Sequence, residues 1–254
     1  MSTSHVRPAH VHAADLGHTV VLLHERTGAV RALLGAQREA FLALDAAGVA
    51  APGTDAEALA ASLSAAGFLR PAQPGEAPTP ILALPATGPS WGTQEAPGAL
   101  PNRGPLSPGW APAAACALAT VLLVRAIGRR EHAFSRLLRL VRATAGVARC
   151  PARDTQVVAV LHCVRVIGGV SPFRTACLEE TVAAMLALAV TGRRVGWCHG
   201  IAADPIRLHA WLRLDGCPVG EPISTLRFTP LLQLPEPAAA PAHGRDRAAR
   251  GDTP

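Results

Sequence analysis

Cysteine and histidine are the side chains of this 254-residue chain best suited to covalent or metal chemistry, and it has six of the first and ten of the second. The cysteines are Cys116, Cys150, Cys163, Cys177, Cys198 and Cys217. None forms a CxxC pair, which argues against a zinc ribbon. Cys163 adjoins His162, but adjacent helical side chains point about 100° apart, so both read as packing residues. Cys177 has a different setting. Thr175 fits an N-cap, and Leu178, Val182, Met185, Leu186 and Ala189 form an apolar stripe that ends at Gly192. The spacing predicts a helix with Cys177 in its first turn, and Glu179 and Glu180 suit the positive end of its dipole. Free N–H groups and the dipole there stabilise a thiolate, and the same N–H groups can hold an oxyanion. A small residue tucked under a helix start accounts for the position equally well.

The elements around Cys177 decide what it meets. Downstream the period changes from helix to strand. Val195 to Ile201 reads as one strand, and Arg207 to Leu214 alternates strictly, with His209, Trp211 and Arg213 on one face. Asp215-Gly216 is a hairpin signal, and Cys217 to Glu221 begins the return strand near an edge or bulge at Pro218. Upstream, Ala113 to Ile127 reads as a buried helix. Glu131 to Ala145 reads as an amphipathic one, with Arg130, Arg136, Arg139 and Arg142 on a solvated face. Asp154 to Val166 reads as a third helix, broken by Gly168 and Gly169. A Cys that opens a helix, followed by a small antiparallel sheet carrying a His, is the papain-like order of parts. In that chemistry the imidazole deprotonates the thiol, and a third polar group orients the ring.

The segments "CLEETVAAMLAL" and "LHAWLRLDGCPVGEP", within residues 130 to 232, resemble the leader peptidase of lasso-peptide biosynthesis, the B protein, whose catalytic domain is transglutaminase-like. The resemblance places the nucleophile on Cys177 and the base on His209. The family carries an Asp about twelve residues past the His, and here that position is Glu221. Asp215 is nearer in sequence, but six strand residues put it about 20 Å from His209. A strict two-residue turn would set Glu221 opposite Ala210, on the wrong face. The sequence therefore predicts a longer loop or a bulge at Asp215-Gly216-Cys217, which pairs Glu221 with Trp211 instead.

The first 70 residues form a separate unit. Thr19 to His24 and Ala29 to Leu34 read as a hairpin turning at Arg26-Thr27-Gly28. A helix follows from Gln37 to Ala47, closed by Gly48. A second helix opens on a Thr54…Glu57 capping box, carries Leu59, Leu63 and Ala66 on one face, and stops at Gly67. This is a small winged-helix-like module. The run "VVLLHERTGAVRALLGAQREAFLAL…TDAEALAASLSAAGFL" resembles the PqqD-like peptide-recognition family. That resemblance implies a leader-binding groove, placed between Ala29–Leu34 and Thr54–Ala66, where an edge strand pairs with an extended peptide. A winged helix that binds DNA or packs on a partner domain is the alternative.

Composition completes the expectations. Residues 71–108 are dense in Pro and read as a linker, 109–234 as the catalytic domain, and 235–254 as a disordered tail. The fold class is α+β, with the module, the linker and then helices packed on a small antiparallel sheet. All 24 basic residues are Arg and Tyr is absent, which points to base-composition bias and weakens inference from the net charge of +6. Met1 to His18 has no apolar core segment, and Ala111 to Val124 is short of a membrane span, so no signal peptide or membrane contact is expected and the location reads as cytoplasmic. No Walker A pattern and no cofactor motif occur. Together the halves resemble a fused enzyme that recognises and removes the leader of a lasso-peptide precursor. That implies the precursor peptide and an asparagine-synthetase-like cyclase as partners, no nucleic acid, no directly bound cofactor, and ATP dependence only through the cyclase. The other readings are a transglutaminase-like acyltransferase and a non-catalytic leader- or DNA-binding adaptor.

Overall fold

A computed structural model describes residues 4–47, 53–73, 76, 79, 81–83, 106–203 and 206–235. The N-terminal unit is built on an antiparallel meander of β2 (Val11–Asp15), β3 (Thr19–His24) and β4 (Val30–Leu34), preceded by the short β1 (His5–Val6). Val11 pairs with His24, and Leu23 pairs with Val30. Gly28, at φ 71°, takes the left-handed backbone of the β3–β4 turn, where its missing Cβ leaves room for Phe134 of the second unit. Helices α1 (Ala36–Ala47) and α2 (Asp55–Ala65) cover one face, with Phe41, Leu44, Leu63 and Phe68 buried on Val20 and Leu22. At the head of α2 the Glu57 carboxylate accepts the Gly53 N–H, one residue earlier than a capping box would have it. The hairpin and both helices are where the sequence places them. β2 is additional, because its small Ala13 and Ala14 give little apolar signal.

The stretch 71–108, read as a linker from its prolines, holds short strands near its start. β5 (Arg70–Pro71) pairs with β1, and β6 (Leu82–Ala83) adds in parallel to β2. An edge strand needs only one side of its backbone for pairing, so neighbouring prolines do not prevent it. The sheet order is β4-β3-β2-β6, which leaves β4 at an edge. Residues 84–105 of the predicted linker and 236–254 of the predicted tail lie outside the described residues.

The second unit begins with α3 (Ala111–Ala126), a 3-10 turn at Arg130–His132 and α4 (Ala133–Val147). Then come β7 (Cys150–Pro151), α5 (Asp154–Val170), α6 (Cys177–Val190) and β8 (Arg193–Arg194), which lies parallel to β7. The chain finishes in β9 (Gly196–Ala203), β10 (Ile206–Leu214), β11 (Cys217–Pro218), a 3-10 turn at Ile223–Arg227 and β12 (Thr229–Leu234). The last four strands form one antiparallel sheet in the order β11-β10-β9-β12. Helix α6 is the hub, packed against α3, α4, α5 and β10. Its Val182, Ala183, Ala184, Ala187 and Leu188 are fully or almost fully buried, and alanines on that surface let the neighbouring helices approach closely.

Two expectations about these helices are corrected. α5 is not broken at Gly168 and Gly169 but continues to Val170. Gly168 is buried, and a Cβ there would stand 2.8 Å from the Thr175 hydroxyl, so the residue answers to close packing and not to a break. The arginines of α4 are not simply a solvated face. Arg136 donates to the carbonyls of Val124, Arg125 and Arg129, closing the C-terminal end of α3. Arg142 pairs with Glu25 of the N-terminal unit at 2.6 Å. The two units also share an apolar cluster in which Ala14, Leu16 and Val21 meet Ile201, flanked by Leu208 and Leu231. Among the described residues, no helix is long and apolar enough to cross a membrane.

Candidate active site

Helix α6 begins at Cys177, with Ala176 and not Thr175 as its N-cap. The Glu179 carboxylate accepts the Ala176 N–H at 3.1 Å and pairs with Arg125 at 2.9 Å. Thr175 serves elsewhere, packed on Gly168 and donating its hydroxyl to Glu180 at 3.5 Å. Cys177 thus occupies the first helical position, where backbone N–H groups have no partner within the helix. One turn on, Thr181 donates to the Cys177 carbonyl at 2.7 Å and accepts the Trp197 indole N–H at 3.0 Å. That chain ties the start of α6 to the sheet.

His209 stands on β10 opposite Gly200 of β9. Its ring forms a triangle with Trp211, stacked at a centroid distance of 6.0 Å, and Phe228, tilted at 5.1 Å, which are 6.3 Å from each other. The close approach of Trp211 has a steric basis at Gly200, where a Cβ would fall 2.5 Å from the Thr229 carbonyl oxygen and 2.6 Å from the Trp211 ring. His209 Nε2 is 2.9 Å from Glu221 Oε2, and Cys177 is near enough to the same imidazole to act on its charge. With Nε2 occupied by the carboxylate, the nitrogen left for the sulfur is Nδ1. Burial opposes a charge on His209, but hydrogen bonds to Cys177 and Glu221 and their negative charge outweigh it and raise its pKa to about 9. Near neutral pH the ring is an imidazolium, the partner that a thiolate needs. The three residues singled out in the sequence, Cys177, His209 and Glu221, come together in space.

Glu221 gets there by a different route from the one expected. The Asp215-Gly216 turn is a strict two-residue turn, with φ of 47° and 84°, and Arg213 pairs with Pro218. The irregularity predicted at Asp215-Gly216-Cys217 is absent. The ladder extends one bond further, from the Val219 N–H to the Leu212 carbonyl. It then ends because Gly220 adopts φ 67°, a left-handed conformation that swings the chain out of the sheet. The return strand is thus shorter than Cys217 to Glu221, and Glu221 approaches the imidazole from a loop.

One further charged residue belongs to the site and had no assignment from the sequence. Arg165 of α5 donates to the Gly220 carbonyl at 2.8 Å, contacts Glu221 Oε1, and lies 3.5 Å from Glu180 Oε2. The signal was present: Arg165 is the single charged residue in the apolar run from Val157 to Val170. The other cysteines are placed otherwise. Cys163 and Cys198 are buried, and burial pushes the Cys198 thiol up to about 11. Cys116, Cys150 and Cys217 are exposed. Among the described residues, no His, Cys, Asp and Glu cluster that could hold a metal occurs.

A thiol at a helix start, an imidazolium beside it and a buried carboxylate behind form an arrangement able to open an acyl group by nucleophilic attack. Residues 117–233, which contain all three groups, match the family model of the transglutaminase-like superfamily. Neither the search of curated proteins nor that of solved structures found a match for the chain. That superfamily typically comprises cysteine proteases and acyltransferases. The second half of this chain carries a transglutaminase-like superfamily domain, at residues 117–233.

Proposed function

We propose that the protein is a cysteine peptidase that binds the leader of a ribosomally made lasso-peptide precursor and removes it before macrocyclisation. The observation that carries the peptidase half is the shared imidazole: His209 is held by Glu221 at 2.9 Å and reached by Cys177. The Cys177 thiolate attacks the scissile carbonyl carbon. N–H groups at the start of α6 receive the oxyanion. The His209 imidazolium gives its proton to the departing amine, which leaves a thioester on Cys177. Neutral His209 then takes a proton from water, whose oxygen attacks the thioester carbon; the C–S bond breaks, the acid product leaves, and the Cys177 thiolate and His209 imidazolium are restored. Glu221 holds the ring tautomer through both steps.

The recognition half is supported by β4. It is an edge strand, with Val30 and Leu34 exposed beside backbone groups open to pairing. An extended leader adds to such an edge as a further strand, and the groove toward α2 selects its side chains. The precursor peptide is one partner. An asparagine-synthetase-like cyclase that receives the freed core is the other, and any ATP dependence belongs to that partner. Glu221 in contact with His209 speaks against the non-catalytic adaptor.

The test uses a synthetic leader–core peptide. Wild-type protein cleaves it at one bond, and Cys177→Ala binds it equally well without cleaving it. Intact peptide after incubation with wild-type protein, together with duplex-DNA binding that falls steeply with salt, overturns the reading.

A further inference from the structure

One positive side chain joins the helix that carries the thiol to the loop that carries the carboxylate. Arg165 projects from α5 and is about a quarter exposed. Its three guanidinium nitrogens have three partners: Nη1 on the Gly220 carbonyl, Nη2 on Glu221 Oε1, and Nε on Glu180 Oε2. The Glu221 side chain is 2 % exposed, so neither oxygen has water to turn to. Arg165 occupies Oε1, and Oε2 is thereby committed to His209 Nε2. Glu180 lies three residues beyond Cys177 in the first turn of α6, and its other oxygen accepts the Thr175 hydroxyl.

We propose that Arg165 is a positioning residue of the catalytic centre, which sets the Glu221 carboxylate on His209 and keys it to the helix headed by Cys177. The physical need is plain. A glutamate has three side-chain rotors, Glu221 sits on a loop, and the β10–β11 ladder has already ended at Val219. Nothing in the sheet register holds the carboxylate. A planar fork that grips the Gly220 carbonyl and the Glu221 carboxylate together fixes both the backbone bend and the side chain. Its third contact, to Glu180, carries the same register across to α6. A lysine supplies one point charge and cannot span the three groups.

The inference rests on the cysteine-nucleophile reading of the same site, so its test includes a readout that needs no peptide substrate. Iodoacetamide alkylation of Cys177, followed by peptide mass mapping, reports thiolate formed by proton transfer to His209. In Arg165→Met, the rate at pH 6.5 falls about tenfold and the rate at pH 10 is unchanged, because direct deprotonation by solvent needs no imidazole. Leader cleavage by the same variant loses about 10²-fold in kcat, with KM unaltered. In a Glu221→Gln background the Arg165→Met change adds nothing further. Arg165→Lys shows the same pattern at smaller amplitude and carries the test should the Met variant fail to fold. A folded Arg165→Met or Arg165→Lys protein with the wild-type alkylation profile overturns the assignment. An additive loss in the Glu221→Gln background does so too. Failure of wild-type protein to cleave any leader, with the alkylation differences intact, overturns the peptidase reading and leaves the assignment standing.

Discussion

Glu221 Oε2 meets His209 Nε2 at 2.9 Å, although the β10–β11 register, extended by three residues, would set Glu221 opposite Ala210 and on the other face of the sheet. The left-handed backbone at Gly220 resolves the conflict by taking the chain out of the ladder one residue earlier. The acid is therefore delivered by a bend and gripped by Arg165, not presented by a strand.

Gly220→Ala tests that bend. A Cβ there would lie 2.9 Å from Leu161 Cδ1, and φ 67° is strained for any L-residue with a side chain. The substitution lowers stability by about 1–2 kcal/mol, measured by urea unfolding. It also moves Glu221 off the ring, so kcat falls more than stability alone explains. Unchanged kcat in the folded variant counts against a bend-delivered acid.

The pH–rate profile follows from His209, whose pKa is raised to about 9. The departing amine needs the imidazolium proton, so kcat/KM falls above about pH 9, with an apparent pKa that belongs to the coupled Cys177–His209 pair. The sign for stability is the same. A histidine with a raised folded pKa contributes fully below its unfolded value near 6.5 and loses that contribution as pH rises through 9, on the order of 3 kcal/mol. Unfolding free energies between pH 6 and 10, compared with those of His209→Gln, show the loss in the wild type only.

His199 acts in the opposite direction. It is buried on β9 between Phe134 and Trp197, its Nδ1 has no hydrogen-bond partner among the described residues, and burial lowers its pKa to about 4. A ring held neutral in the folded state stabilises above its unfolded pKa and loses that contribution as pH falls from about 6.5 to 4, again by roughly 3 kcal/mol. His199→Phe therefore flattens the acid limb of the stability curve. Equal acid sensitivity in that variant and the wild type would refute the assignment.

Much of this protein was legible in one dimension because its signals are local. The 3.6-residue stripe from Leu178 to Ala189 places Cys177 at a helix start. The period-two pattern around His209 makes a strand, and Asp215-Gly216 makes a turn, each decided by neighbours within a few residues. The segments misread are those decided by contacts far along the chain. Gly168 and Gly169 read as a break until Thr175 is seen packed on Gly168, and Leu82–Ala83 read as linker until β2 offers it an edge.

Cys177, His209 and Glu221 were named as candidates from the sequence through the family it resembles. Their meeting was decided by tertiary structure: α6 packed on β10, Gly200 admitting the Trp211 ring beside Thr229, and Gly220 breaking the register. Arg165 illustrates the division. Its charge among apolar neighbours is visible in the chain, yet its partners lie at positions 180, 220 and 221, and no local periodicity encodes a contact over 55 residues.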